Sequence, residues 1–140
     1  MPKIDFDLMP PEARLWVFAS DSELGDEARD QLLARVDAFL DSWNAHGSPL
    51  TAARDWREGR FLLVAVDERS APPSGCSIDA LLRELKAFEA AHGLCLTDHA
   101  NVLWRSPSGQ IESTDRPSFA RLAKGDVAHR FVIDMASLEA

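Results

Sequence analysis

One cysteine of this chain lies where a helix is predicted to begin. The stretch PPSGCSIDALLREL (72–85) follows an apolar run that ends in acidic residues, and Cys76 falls at the predicted first turn. Free N–H groups and the positive end of the helix dipole favour a thiolate at such a position. His46 could serve as its base or ion-pair partner, with Asp67 or Glu68 orienting the imidazole. These residue types predict a thiol site built on Cys76 and His46.

The same turn also has the features of an anion-binding loop. Consecutive backbone N–H groups and two hydroxyls at a helix N-terminus form the kind of concavity that holds phosphate or carboxylate. A carboxylate in the first turn opposes this interpretation, because it can itself interact with the helix dipole. The candidate ligand-binding residues are Ser74, Gly75, Ser77 and Asp79 of this turn, with Arg14 and Arg105 from two predicted strands.

A purely structural interpretation accounts for the same residues. Cysteine is among the most buried residue types, and Ser77 is a preferred residue for a helix N-cap. His46 before Gly47 is typical of a cation at a helix C-terminus. No GxxxxGK[ST] motif occurs, so the turn is not a nucleotide-binding P-loop.

A second group of possible ligands lies in HGLCLTDH (92–99). His92, Cys95 and His99 could in principle face a zinc ion, but a fourth ligand is not evident. His92 is also explained as the last residue of a helix. We therefore predict no metal site and no cofactor.

The charge and length of the chain argue against nucleic acid and membranes as partners. Its 140 residues carry 15 Lys and Arg against 23 Asp and Glu, a formal net charge of -8, which would repel nucleic acid and anionic membranes. No apolar run approaches the roughly 18 residues that span a bilayer, and the N-terminus lacks the features of a signal peptide. Two cysteines do not form a disulfide framework. We expect a cytoplasmic protein with one domain, 1–140.

The apolar periodicity predicts two long helices. The first carries apolar side chains at spacings of three and four from Leu32 to Trp43, and His46-Gly47 is interpreted as its stop signal. The second extends from Ser77 to His92 and stops at Gly93. Four β-rich runs are the predicted strands, two of them joined in a hairpin at Glu58-Gly59. They are 14–20, 51–57, 60–67 and 101–106.

The order of these elements predicts the α+β class and a ferredoxin-like βαββαβ antiparallel sheet with both helices on one face. Residues 1–12 are an irregular lead-in, and 107–140 are a C-terminal extension with a possible short strand, a short helix near 117–124 and a last strand at 130–134. In this topology the first helix ends where the second begins. His46, Cys76, Arg14 and the Arg105 end of the fourth strand should therefore share one pole.

Four blocks of the sequence resemble a family of uncharacterised bacterial proteins common in Bacteroidetes, some described as ABC transporter ATPases. They are RLWVFAS, FLDSWNAHGSPLTA, RFLLVAVDE and SGCSID, within about residues 11–104. The pair of motifs Trp43-x-x-His46-Gly47 and Ser74-Gly75-Cys76-Ser77-Ile78-Asp79 carries the resemblance. This chain has no Walker motif, so the ATPase description implies nothing for it. The resemblance supplies no reaction, and it lessens after Trp104, where the family has an aromatic-rich tail.

Two functions from different classes remain open. One is a non-catalytic binding or scaffold module that associates with a protein partner or a second copy through a sheet face or edge. The other is a small-molecule or anion site with a reactive thiol, built from Cys76, His46 and the 74–79 turn. An accessible Cys76 in a pocket favours the second, whereas a sealed cysteine beside a broad apolar patch favours the first.

Overall fold

The computed structural model describes residues 3–20, 22–97 and 101–123. Contacts between residues divide the chain into two compact units, Met1–Thr97 and Asp98–Ala140. Both units contain helices and antiparallel strand pairs, which confirms the α+β class. Among the described residues, no helix is long and apolar enough to cross a membrane.

The first unit contains a three-stranded sheet, a small hairpin and two long helices. In chain order its elements are a 3-10 helix (Phe6–Leu8), β1 (Arg14–Ala19), α1 (Asp26–Asp41), β2 (Asn44–Ala45), β3 (Ser48–Pro49), β4 (Thr51–Arg57), β5 (Phe61–Asp67) and α2 (Gly75–His92).

The three-stranded sheet has the order β1-β5-β4, and both pairs are antiparallel. Thus β1 and the third predicted strand are neighbours, as the element order predicts. The hairpin between β4 and β5 turns at Glu58 and Gly59, whose φ angles are 56° and 69°. Positive φ at both residues is what a tight hairpin turn requires, and glycine adopts it without steric cost.

Both long helices pack on the same face of this sheet, as predicted. Side chains from alternate positions of the strands form one buried cluster with side chains from α1 and α2. The sheet contributes Phe18, Ala52, Leu62, Val64 and Val66, and the helices contribute Leu32, Val36, Leu40, Leu81, Leu85 and Phe88. Burying each large apolar side chain contributes about 1.5–3 kcal/mol, so this cluster is the main reason the helices stay on the sheet.

Helix α1 ends earlier than its stop signal suggests. Its last residue is Asp41, and His46-Gly47 is the turn of the β2–β3 hairpin rather than the helix end. The φ angles of His46 and Gly47 are 52° and 82°, the pair of positive values that a two-residue hairpin turn uses. Histidine tolerates this region better than most residues. The prediction of His46 as a helix-end cation is therefore wrong.

The second unit holds β6 (Asn101–Arg105), β7 (Ile111–Asp115) and α3 (Arg116–Ala123). The strands form an antiparallel hairpin, and Trp104 Nε1 donates to Thr114 Oγ1 at 2.9 Å. The predicted fourth strand thus pairs with β7 instead of extending the three-stranded sheet, so the complete ferredoxin-like order is not observed. The reason is local, because a Pro-Ser-Gly turn connects two β-rich runs there. The last predicted strand, 130–134, lies outside the described residues.

Candidate functional site

The start of α2 is fixed by a reciprocal pair of serines. Ser74 is the N-cap, and its Oγ accepts a hydrogen bond from Ser77 N at 3.1 Å. Ser77 Oγ in turn accepts from Ser74 N at 2.6 Å and donates to Ser74 O at 2.7 Å. This is a capping box with serine in both positions. It satisfies polar groups that would otherwise be left at the helix terminus.

This geometry corrects two details of the sequence interpretation. The N-cap is Ser74, and Ser77 is the third residue of the helix. Helix α2 begins at Gly75, so Asp79 is its fifth residue and lies beyond the first turn, which contains no acidic side chain. The first turn therefore has no carboxylate that would compete with an anionic ligand for the helix dipole, contrary to the prediction from the sequence. Both hydroxyls are engaged in the cap, since Ser74 Oγ also donates to Ser77 Oγ at 3.2 Å.

Trp43 joins the end of α1 to the start of α2. Its side chain is buried, and its Nε1 donates to the carbonyl of Ser77 at 2.8 Å. Its ring lies 5.6 Å from the ring of Phe39 and 6.1 Å from that of Trp16, centroid to centroid. A buried indole needs a partner for its N–H, and here the carbonyl of α2 provides it. The packing keeps the two helix ends close together, as the element order predicts.

A cleft of about 270 Å³ opens at this junction. Its walls come from the end of α1, the β2–β3 hairpin and the first turns of α2. The lining residues are Phe39, Ser42, Trp43, Asn44, His46, Ser74, Cys76, Ser77 and Ala80. The structure thus brings Cys76 and His46, predicted from separate segments, to one cleft.

Cys76 is the second residue of α2, and its side chain is exposed. The first intrahelical hydrogen bond of this end joins Ile78 N to Ser74 O, so the N–H groups of Gly75 and Cys76 precede it. The capping box takes Ser77 N. The N–H groups of Gly75 and Cys76 are therefore directed out of the helix end, where they favour negative charge on nearby sulfur or on a ligand.

Four of the residues predicted to bind a ligand do not line the cleft. Arg14 lies with its Cζ 4.8 Å from the centre of the Trp16 ring, a cation–π contact on the helix-covered face. Asp79 is exposed on α2, and Arg105 belongs to the second unit, where its Nη1 donates to Gly109 O at 3.0 Å. Gly75 supplies only backbone at the start of α2.

Asp67, predicted to orient the imidazole, is engaged elsewhere. Its carboxylate accepts hydrogen bonds from Arg69 Nε at 2.9 Å and Arg69 Nη2 at 2.8 Å. These bonds hold the pKa of Asp67 below its ordinary value. Asp67 and Arg69 therefore form an ion pair of their own, and among the described residues His46 donates no hydrogen bond to the carboxylate of Asp67 or Glu68.

The opposite end of α2 contains the residues considered for zinc. His92 Nδ1 lies 3.2 Å from Phe88 O, and its ring stacks on the Phe88 ring at 4.0 Å. Its Nε2 lies 2.6 Å from Gln31 Oε1. Within the described part of the chain no group of three or more His, Cys, Asp or Glu is placed to hold a metal ion. His99 lies outside that part.

Sequence reasoning missed most of the cleft wall. Phe39, Ser42, Asn44 and Ala80 are ordinary helix and hairpin residues with no catalytic signal of their own. The one available signal was Trp43, because an indole within an apolar stripe must still find an acceptor for its N–H.

Comparison with family models, with curated proteins and with solved structures gave no match. The resemblance to a bacterial family therefore stays a prediction.

Proposed function

We propose that this protein binds a small electrophilic molecule in the cleft at the α1–α2 junction, with Cys76 as the reactive thiol. One observation carries the proposal: the exposed thiol of Cys76, at the second position of a helix, shares a cleft with His46. Reactive cysteines are found in partly exposed sites with electropositive surroundings, and a helix N-terminus is one such environment.

The chemistry required is nucleophilic attack by the Cys76 sulfur on an electrophilic carbon of the ligand. In a substitution, the leaving group departs with the electrons of the bond that breaks. In an addition, the electron pair of the carbon's double bond moves to the atom at its far end, which then takes up a proton. The thiol proton passes to the His46 imidazole or to water. The N–H groups of Gly75 and Cys76 stabilise the negative charge on sulfur before attack. No metal or redox cofactor takes part in this step.

The cleft limits the size and character of the ligand. Its volume of about 270 Å³ is slightly below the range of ordinary ligand sites, which suits a small molecule and not a peptide. Trp43 and Phe39 provide an aromatic wall, whereas Asn44 and His46 provide polar groups at the hairpin. A compact ligand with one flat or apolar part and one polar part fits this lining best.

The alternative of a scaffold that associates through an apolar surface has less support. Among the described residues, Leu8 is the large apolar side chain found exposed, at 69%. A broad exposed apolar patch is the usual mark of a docking surface, and isolated exposed apolar residues are normal. The described surface therefore favours the cleft. We also propose a cytoplasmic location, because an exposed working thiol needs a reducing compartment.

Thiol labelling of single-cysteine variants tests this proposal. Cys95→Ser leaves only Cys76, and Cys76→Ser leaves only Cys95, which is also exposed but lies outside the cleft. We expect iodoacetamide, followed by intact-mass measurement, to alkylate Cys76 about tenfold faster than Cys95 at pH 7. Equal rates, or a faster Cys95, would overturn the proposal, since exposure alone would then explain the reactivity of Cys76.

The role of His46 needs a substitution that preserves the hairpin. His46→Ala would place alanine at a φ of 52°, which strains the turn. His46→Asn avoids this, because asparagine tolerates positive φ and Asn-Gly is a preferred hairpin dipeptide. We expect His46→Asn to retain the unfolding midpoint while slowing alkylation of Cys76. An unchanged rate would remove His46 from the proposed chemistry.

A further inference from the structure

The lining of the cleft at the α1–α2 junction differs in charge from the chain as a whole. The sequence has 23 Asp and Glu against 15 Lys and Arg, yet none of these four residue types occurs among the described residues that line the cleft. Asp41 and Asp79 are each next in sequence to a lining residue, but both are exposed and neither lines the cleft. A small anion that much of the surface repels therefore meets no carboxylate in this lining.

Several oxygen acceptors of the lining residues are already engaged within the fold. The carbonyl of Ser77 accepts from Trp43 Nε1 at 2.8 Å, and the carbonyl of Ser42 accepts from Asn44 Nδ2 at 3.2 Å. Asn44 Oδ1 accepts from Gly47 N at 3.3 Å. Because Asn44 bonds to one carbonyl and to one N–H, its two partners fix which way its amide points. The hydroxyls of the capping box bond to each other, as described above.

The β2–β3 hairpin, in contrast, keeps side-chain donors for a ligand. The amide nitrogen of Asn44 carries two hydrogens, and within the described part of the chain it gives one of them, to Ser42 O. His46 has no hydrogen-bond or ion-pair partner among residues 3–20, 22–97 and 101–123. Its imidazole carries at least one N–H in either protonation state. Two N–H donors thus line the hairpin wall of the cleft, while Cys76 lines the wall formed by α2.

We propose that the electrophilic ligand of this cleft is a small carboxylic acid, whose carboxylate binds Asn44 and His46 while its reactive carbon lies at the sulfur of Cys76. The inference rests on the proposed function of the cleft and names the class of its ligand. An ionised carboxylate only accepts hydrogen bonds, so its two oxygens match two N–H donors. Hydrogen bonds to a charged group are also stronger than those to a neutral one. The part of the ligand between its two ends contacts the aromatic wall of Phe39 and Trp43.

Alkylation with a matched pair of reagents, iodoacetate and iodoacetamide, tests this ligand class. In both, sulfur bonds to the CH₂ carbon and iodide leaves with the electrons of the C–I bond, so they differ in carrying a carboxylate or an amide. The ratio of the two rates at one sulfur cancels the intrinsic reactivity of that thiol. We expect the iodoacetate-to-iodoacetamide ratio to be at least about fivefold higher for Cys76 in Cys95→Ser than for Cys95 in Cys76→Ser. Equal ratios would overturn the carboxylate and leave the proposed function standing if Cys76 is still the faster thiol with iodoacetamide.

Two variants of the hairpin separate a local effect from a change of net charge. Asn44→Asp keeps an oxygen that accepts from Gly47 N, but it removes the amide donor and adds a negative charge to the cleft lining. Ser48→Asp adds the same charge to the same hairpin, at an exposed residue that does not line the cleft. In a Cys95→Ser background, Asn44→Asp should lower the ratio at Cys76, and Ser48→Asp should leave it close to that of its parent. The same ratio in both variants would contradict binding by the hairpin donors.

Protection by an unreactive acid provides a measurement that does not depend on a hairpin variant folding. Benzoate has a flat ring and a carboxylate but no leaving group, and benzamide is its neutral counterpart of the same shape. In Cys95→Ser, benzoate should slow the alkylation of Cys76 by iodoacetamide at concentrations where benzamide has little effect. Neither compound should slow Cys95 in Cys76→Ser. Benzoate that protects Cys76 no better than benzamide would overturn the proposal, whichever of the two cysteines reacts faster.

Discussion

One cysteine lies at the start of α2 and another lies just after its end, and the two places differ in which groups form the hydrogen bonds there. At the start, the side-chain hydroxyls of Ser74 and Ser77 pair with each other within one turn of the helix. They do not bond to the end of α1 or to the β2–β3 hairpin, and a cleft lies between these elements and α2. At the other end, polar groups draw the following chain back onto the helix. Cys76 and Cys95 are both exposed, and Cys76 lies in the cleft that His46 also lines.

Glu89 is the residue that closes the second end. Its carboxylate accepts hydrogen bonds from Leu96 N, from Thr97 N at 2.9 Å and from Thr97 Oγ1 at 2.8 Å. Gly93 makes the reversal possible with a φ of 65°, and its N–H donates to Glu89 O at 2.8 Å. The loop after α2 is thereby packed against the helix. The two cysteines are therefore alike in exposure and differ in how the described residues around them are arranged.

The largest effect is expected at the first end, from Trp43. Trp43→Ala removes a buried ring that contacts both helix ends, and it should lower the free energy of unfolding by about 3–5 kcal/mol. Trp43→Phe keeps most of the packing but leaves the Ser77 carbonyl without its donor, which should cost about 1–2 kcal/mol. Urea denaturation measures both. Equal costs for the two variants would show that packing around the ring does not hold this end together.

A smaller effect is expected at the second end, from Glu89. Glu89→Ala leaves the N–H groups of Leu96 and Thr97 without their acceptor, and should cost about 1–3 kcal/mol at pH 7. Burial is the largest single influence and raises the pKa of Glu89, but the hydrogen bonds from Leu96 and Thr97 together lower it below its ordinary value.

The sign of the pH dependence follows from this lowered pKa. Stabilisation by Glu89 is fully present above the ordinary value of 4.5 and is lost as pH falls through the folded-state value. The difference in unfolding free energy between the natural chain and Glu89→Ala should therefore shrink in acid. A difference that stays constant from pH 7 to about pH 3 would contradict the role of the ionised carboxylate.

The smallest effect is expected from the capping box. Ser74→Ala removes the acceptor for Ser77 N and should cost about 1 kcal/mol. Ser74→Asp restores a capping side chain and should recover most of that loss, while adding a negative charge beside Cys76. Thermal unfolding measures the first effect. Alkylation of Cys76 should be slower in Ser74→Asp than in Ser74→Ala, because the added carboxylate opposes a thiolate.

Much of the first unit could be predicted from periodicity. The stripes of α1 and α2 and the β4–β5 hairpin were all specified locally, and the order of these elements then placed His46 and Cys76 at the same pole. The hairpin at His46-Gly47 could not be distinguished from a helix end, because a residue before glycine with proline nearby is a signal for both. The same ambiguity affected Ser74 and Ser77, since either serine is an acceptable N-cap.

The pairing of β6 was harder to predict because it depends on a competition between partners. A strand after α2 can cross to β1 or turn back on the next segment, and the second choice closes a much shorter loop. The residues that line the cleft could not be predicted for another reason. Ser42 and Asn44 reach the cleft only because α1 ends at Asp41 and the chain then reverses in the β2–β3 hairpin.

Size-selective alkylation of Cys76 tests the central claim, that the cleft controls access to this thiol, most directly. Ala80 lines the cleft from α2, whereas Ala87 is exposed on the same helix outside it, so Ala80→Leu and Ala87→Leu form a matched pair. In a Cys95→Ser background, Ala80→Leu should slow a bulky maleimide much more than it slows iodoacetamide. Ala87→Leu should leave both rates unchanged. If Ala80→Leu leaves the bulky reagent as fast as before, Cys76 reacts from open solvent and the cleft is not a binding site.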